Sequence, residues 1–222
     1  MIQLPLGIGL RDSATFSNFH PGANREALQA LRGGGEQFIY LWGGAGSGKT
    51  HLLQALCQQQ AEQERAVAYL PLAEPGMVPE MLEGMESMEL LAIDDLDAVA
   101  GQAAWETGLF HLYNRMRDAG ARLVVTASVS PAALSIELPD LASRLSWGLT
   151  LHLAANDDAA KLAILQQRAR NRGLELSDEV GGYLLRNCER DMENLIRLLE
   201  RLDAASLREQ RRLTIPFVKQ LL

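Results

Sequence analysis

The sequence predicts a parallel α/β domain followed by a smaller all-helical one. Three observations carry that prediction. Short apolar strands alternate with helix-spaced segments through the first part of the chain, the stretch 89–94 is almost uninterruptedly apolar, and no strand candidate follows about Ala155. Strands that alternate with helices imply parallel pairing with helices on both faces of the sheet. A continuous apolar strand is one covered from both sides.

Taken in order, Pro21-Gly22 and Asn24 read as a turn and cap before the helix REALQALR, which stops at Gly33-Gly34-Gly35. QFIYLW is a short buried strand that breaks into GGAGSGKT. HLLQALCQQQAEQ then has helical spacing, with Leu52, Leu53 and Leu56 on one face. AVAYLPL (66–72) reads as a strand, VPEMLEGM (78–85) as a short helix and ELLAID (89–94) as the next strand. A helix through TGLFHLYNRMRD, the strand ARLVVTAS, a short helix after Pro131 and the strand WGLTLHL (147–153) complete the α/β part. KLAILQQRARNRG, DEVGGYLLRN, DMENLIRLLERLDAAS and TIPFVKQLL are all helical. The expected divisions are an N-terminal peptide (1–12), the α/β domain (13–154) and a helical domain (155–222).

A chain of 222 residues has room for one full domain and a small second one. Its 47% hydrophobic and 22% charged residues are ordinary for a protein with a sizeable core. A net charge of −7 argues against a self-sufficient DNA binder, which shows a basic footprint. Cys57 and Cys188 fit no metal spacing and point to a reducing compartment. No run approaches the ~18 apolar residues of a membrane span, and the N-terminus lacks the basic region and cleavage pattern of an export signal. A cytoplasmic protein with no membrane partner is expected.

Gly43-Gly44-Ala45-Gly46-Ser47-Gly48-Lys49-Thr50 matches the phosphate-binding pattern G-x-x-x-x-G-K-[ST]. The glycines let the loop wrap with its N–H groups pointing inward, and the following helix aims its positive end at the same point. Lys49 supplies a point charge for the β and γ phosphates, and Thr50 a hydroxyl ligand for Mg²⁺. The motif follows a strand and precedes a helix, as that mechanism requires.

A second element is the apolar strand Leu90-Leu91-Ala92-Ile93 ending in Asp94-Asp95. Asp94 is placed to hold Mg²⁺, directly or through water. Asp95 is the candidate to orient and activate a water for attack on a γ-phosphate. Together the two elements define a P-loop nucleotide-binding domain.

The flanking residues carry a resemblance. Thr15-Phe16-Ser17-Asn18-Phe19 with Gly22 and Asn24, GGAGSGKTHLLQA, LLAIDDLD and DLASRLSWGL resemble the AAA+ module of the bacterial replication initiator DnaA, and LTIPFVKQLL resembles the end of that module's lid. The initiator's helix-turn-helix domain and its extra N-terminal domain are not expected in this chain. With an N-terminal QL-x-L-x-[LI] peptide and segments such as YLPLAE and LFHLYNR, the chain resembles the Hda family, the regulatory inactivators of DnaA.

That resemblance implies an AAA+ regulator that binds the DNA-loaded sliding clamp (the β subunit of DNA polymerase III) and stimulates ATP hydrolysis by DnaA. DNA would be met only indirectly, through the clamp. By the resemblance, Arg144 corresponds to an arginine finger acting in trans. An always-charged planar guanidinium suits neutralisation of γ-phosphate charge. The competing reading has Arg144 capping its own helix or pairing with Asp140.

The resemblance also implies that Phe16, Phe19, His20 and Pro21 line a base pocket, with His51 following the phosphate loop. Two departures from the initiator stand out. Ser128 takes the place of an acid at the end of the sensor strand and becomes the sensor candidate. Glu193 takes the place of a lid arginine, with Arg190 and Arg197 on the same helix face able to neutralise or replace it. Weak intrinsic hydrolysis follows, which favours ADP or another nucleoside diphosphate as the resident nucleotide together with Mg²⁺ and leaves ATP open. The runner-up reading is a helicase-loader ATPase. Homo-oligomers are open, because AAA+ modules act at subunit interfaces. Trp42, Trp105 and Trp147 read as core or interface anchors.

Near the N-terminus, Gln3 is followed by Leu4, Leu6 and Ile8 at alternate positions, which gives an extended peptide one apolar face. Pro5 disfavours a central strand but suits a displayed peptide. Joined to the resemblance, this segment reads as the clamp-binding peptide.

Overall fold

The computed structural model describes residues 14–189 and 191–222, with Glu193 followed by its backbone alone. Gln3, Leu4, Leu6 and Ile8 therefore lie outside the described residues, as do Arg190 and the side chain of Glu193. The chain divides into two units, one through Ala154 and one from Ala155.

The first unit is a five-stranded parallel sheet: β1 (Phe38–Trp42), β2 (Val67–Pro71), β3 (Leu90–Asp94), β4 (Arg122–Ala127) and β5 (Leu149–His152), ordered β2-β3-β4-β1-β5. Strand alternation assigns its two faces. Leu90 and Ala92 of β3, Ile39 and Leu41 of β1 and Val124 of β4 pack with α1 (Arg25–Gly33) and α2 (Lys49–Glu62). Leu91, Ile93, Tyr40, Leu123 and Val125 point the other way, against α3 (Ala103–Asp118) and α4 (Pro139–Leu145). Every residue of β3 is buried, which is why its sequence shows no polar alternation.

Two expected helices are only 3₁₀ turns, at Pro79–Leu82 and Pro131–Ala133. Each begins at a proline, which suits a first turn, and neither has the length to propagate as an α-helix. The second unit is α5 (Asp158–Asn171), α6 (Asp178–Asn187), α7 (Met192–Glu209) and α8 (Ile215–Leu221) around Leu165, Leu184, Leu195, Leu199 and Phe217. Each of these four helices is capped by its own side chain: Asp157, Ser177, Asp191 and Thr214 accept backbone N–H groups of the first turn.

Candidate phosphate-binding site

The helix that follows the glycine loop is started differently from those four. α2 has Gly48 at its N-cap, no side-chain cap and no acidic residue in its first turn. Its orphan N–H groups and positive dipole end therefore face the loop without an internal counter-charge. Gly48 has φ +100°, and a Cβ there would stand 2.8 Å from Cε2 of Phe19, so both the backbone conformation and the close approach call for glycine. The Gly43 N–H donates to Ala127 O at 3.2 Å, tying the loop's base to the end of β4.

Lys49 is only 8% exposed and donates to its own loop's carbonyls, Gly43 O at 2.7 Å and Gly44 O at 3.3 Å. The Ser47 hydroxyl is buried with no hydrogen-bond partner, which is costly unless a ligand group supplies one. An ammonium, the uncapped N-terminus of α2 and an unsatisfied hydroxyl meet at one loop, with Thr50 half-buried beside them. That is the donor set a polyphosphate requires.

The acidic side is built on neighbouring strands. Ile93 pairs with Val125, so Asp94 and Thr126 come next along adjacent strands. Asp94 is 1% exposed; one carboxylate oxygen accepts the Thr126 hydroxyl, and the other accepts the Tyr69 hydroxyl at 2.8 Å. Thr126 in turn accepts the Asp95 N–H at 3.1 Å, and Gln54 of α2 donates to the Tyr69 oxygen at 3.4 Å. With both oxygens engaged and sealed from solvent, Asp94 fits a cation held through water better than one held directly. Thr50 is the residue suited to direct contact. Asp95 sits in the left-handed region at φ 55°. Burial raises its carboxyl above the usual range, Asp94 adds to the rise and Lys49 opposes it.

Phe16 and Phe19 are buried in the core with α1 and α2. Phe19 also packs on His51, ring centroids 5.5 Å apart, and His51 Nε2 lies 2.9 Å from Thr15 O. Segment 15–21 is thereby stitched to the first turn of α2, with His20 and Pro21 half-buried. Asn24 does not cap its helix. Its side-chain amide instead pairs in both directions with the backbone of Ala154, at 3.1 and 2.8 Å, because the end of β5 passes close by.

Ser128 donates its N–H and hydroxyl to the Asp97 carboxylate at 3.0 and 2.8 Å. The polar side chain of β4 that touches Asp94 is Thr126. Sequence reasoning missed Thr126 and Tyr69 as parts of the site. The one available signal was a polar residue inside each of two otherwise apolar strands.

Arg144 lies in α4, away from this loop's donor set. Its guanidinium carbon is 4.5 Å from the Trp147 ring centroid and 5.4 Å from that of Phe110. Among the described residues no carboxylate, Asp140 included, forms an ion pair with it. The N-terminus of α4 is capped from a distance. Glu106 of α3, 1% exposed, accepts N–H groups from Gly101 (2.7 Å), Glu137 (3.0 Å) and Leu138 (2.7 Å). Burial alone would raise its carboxyl, but these three donors outweigh that and leave it below the usual glutamate value.

A glycine loop after β1, an acid at the end of β3 and a polar threonine on the intervening β4, followed by a four-helix unit, define an AAA+ P-loop protein. Residues 10–152 match the family model for the bacterial DnaA ATPase domain, and residues 158–222 match that for the lid domain of Hda. The chain belongs to the DnaA ATPase-domain family and is an Hda-like, DnaA-related AAA+ protein. Domain III of the Thermotoga maritima initiator DnaA is similar at 25% identity, with 96% of this chain and 97% of that one covered and a TM-score of 0.81. AMPPCP-bound DnaA from Aquifex aeolicus is similar at 26% identity, covering 86% of this chain and 66% of that one, with a TM-score of 0.72. This chain thus spans about two thirds of that initiator. The Thermotoga maritima Holliday junction branch-migration motor RuvB, 18% identical over 95% of this chain and 71% of its own at a TM-score of 0.70, shares the fold.

Proposed function

We propose that this protein is a nucleotide-bound regulator of replication initiation that docks on the DNA-loaded sliding clamp and stimulates ATP hydrolysis by DnaA in trans. The observation that carries the reading is Arg144: a guanidinium on the DnaA-type scaffold with no carboxylate partner among the described residues. Such a group is free to neutralise charge developing on the γ-phosphate of a neighbouring subunit's ATP. Gln3, Leu4, Leu6 and Ile8 are the proposed clamp ligands.

The chain's own site is proposed to retain ADP with Mg²⁺, the phosphates on the Gly43–Thr50 loop and the base beside Phe16, Phe19, His20, Pro21 and His51. Two features favour weak intrinsic hydrolysis. Asp94 is already satisfied by Tyr69 and Thr126, and a glutamate stands where the initiator's lid carries an arginine. Asp95 and Ser128 remain the candidates to orient water and sense phosphate.

The test is initiator-ATP hydrolysis in the presence of clamp loaded on DNA. Stimulation by this protein, lost on Arg144→Ala, is expected; no stimulation, or stimulation undiminished by Arg144→Ala, defeats the reading. Gln3→Ala with Leu4→Ala should abolish clamp binding and spare nucleotide binding, so persistent clamp affinity would remove the docking role. Denaturing the purified protein should release ADP.

A further inference from the structure

α4 ends in a tight turn whose geometry brings two side chains together. Ser146 N–H donates to Ser143 O at 3.2 Å and Trp147 N–H to Arg144 O at 3.0 Å, which folds the chain back so that Trp147 lies over the residue three before it. The next residue, Gly148, is pinned to β1: a Cβ there would stand 2.4 Å from Phe38 O and 2.7 Å from Phe38 Cβ. The turn therefore cannot relax outward without breaking its seat on the sheet. The other end of α4 is held by Glu106. A short helix fastened at both ends presents Arg144.

The indole is 59% exposed, unusual for so large an apolar group, yet it is not idle: its face carries the Arg144 guanidinium at 4.5 Å. Phe110 supplies a second ring at 5.4 Å. On the inner side Arg144 borders a small cavity lined by Phe38, Tyr40, Tyr113, Val125 and Leu145. Arg144 Nε and the Tyr113 hydroxyl are both buried there with no hydrogen-bond partner. Hydrogen bonds therefore do not fix the guanidinium; the rings do. Stacking on an aromatic face orients a guanidinium plane while leaving its outer edge free to donate.

We infer that Trp147 is a positioning residue for Arg144, an aromatic platform that holds the guanidinium in the plane and place from which it reaches a partner's phosphates. This rests on the in-trans reading above. A long arginine side chain in water samples many rotamers, and placing it beforehand raises the fraction of encounters that are productive. The effect belongs to the stimulated rate, not to complex formation.

The experiment measures initiator-ATP hydrolysis against concentration of the regulator, with clamp on DNA, for Trp147→Ala, Trp147→Leu and Trp147→Phe beside Arg144→Ala. Trp147→Ala and Trp147→Leu should lower the plateau rate by about ten- to a hundredfold, up to the scale of a misplaced positioning group, with the half-saturating concentration unchanged. Trp147→Phe, which keeps an aromatic face, should restore most of the plateau. Equal performance by Leu and Phe would reduce Trp147 to packing and overturn the inference. So would a shift in half-saturation with the plateau intact, which marks a direct docking contact. A plateau lost on Arg144→Ala but untouched by Trp147→Ala overturns this inference alone. A plateau untouched by Arg144→Ala overturns the in-trans reading and this inference with it. Unfolding midpoints of the variants separate these outcomes from simple misfolding.

Discussion

Tyr69 of β2 donates its hydroxyl to Asp94 of β3 across 2.8 Å. Asp94 pairs with Pro71, and Tyr69 stands two residues earlier on the same face, so parallel register alone brings the phenol to the carboxylate. Burial and the Asp94 charge hold the Tyr69 hydroxyl far above its usual range, so it stays protonated and donates. Removing that donor leaves one oxygen of a nearly dry carboxylate unsatisfied. Tyr69→Phe should cost about 1–3 kcal/mol in urea unfolding without nucleotide. Thr126→Val removes a donor to Asp94 and an acceptor for the Asp95 N–H together, and should cost more. The reverse order would refute this account of the network.

Lys49 has a different balance. Its ammonium donates to two loop carbonyls in the structure, and those bonds are exchanged when a phosphate enters. Lys49→Ala should weaken a fluorescent ADP analogue about 10- to 100-fold, the worth of one or two charge-assisted hydrogen bonds. Its unfolding free energy without nucleotide should move by about 1 kcal/mol or less. A variant that binds ADP normally would show that the ammonium is not a phosphate ligand.

Gly48→Ala places a methyl against Phe19 at a positive φ. A loss of about 1–3 kcal/mol is expected from strain of this kind. Adding Phe19→Leu should recover part of that loss, so the double variant departs from additivity. Strict additivity in denaturation experiments would mean that the two residues do not meet.

The Glu106 staple is pH-sensitive with a defined sign. Its carboxyl lies below the ordinary value of 4.5 in the folded chain, so its stabilisation is present above that pH and is lost as pH falls toward the folded-state value. Glu106→Gln replaces an acceptor with an N–H₂ group facing backbone donors. It should lower stability by about 1–3 kcal/mol at neutral pH. The gap between wild type and variant should then narrow as the solution is acidified below about pH 4.5. Parallel stability curves across that range would remove Glu106 from the acid response.

Much of the fold was legible because its signals are local. The apolar runs that became β1, β3 and β4 are contiguous, and helix spacing in 49–62 and 192–209 is read within a few turns. The phosphate loop is likewise a single stretch, so its glycines, Lys49 and Thr50 could be named before any strand was placed. The two 3₁₀ turns were overread as helices because propensity does not reveal where a segment runs out of tertiary support. Asn24 shows the same failure in a polar residue. A capping asparagine and one that grips Ala154, 130 positions away, look identical in sequence.

By itself, the sequence determined the order of strands and helices, the phosphate loop and the acid that ends β3, since each depends on residues a few positions apart. Only the tertiary structure decided which groups satisfy that acid, what caps α4 and what Arg144 rests on. The partners of Asp94 come from β2 and β4, and the order β2-β3-β4-β1-β5 that makes them neighbours is not written in any one segment. A buried carboxylate must be paired, but the sheet's crossovers choose with whom. Trp147 and Arg144 are close in sequence, yet their stacking depends on a turn held down by Gly148 against Phe38 of β1, a contact between residues far apart in the chain.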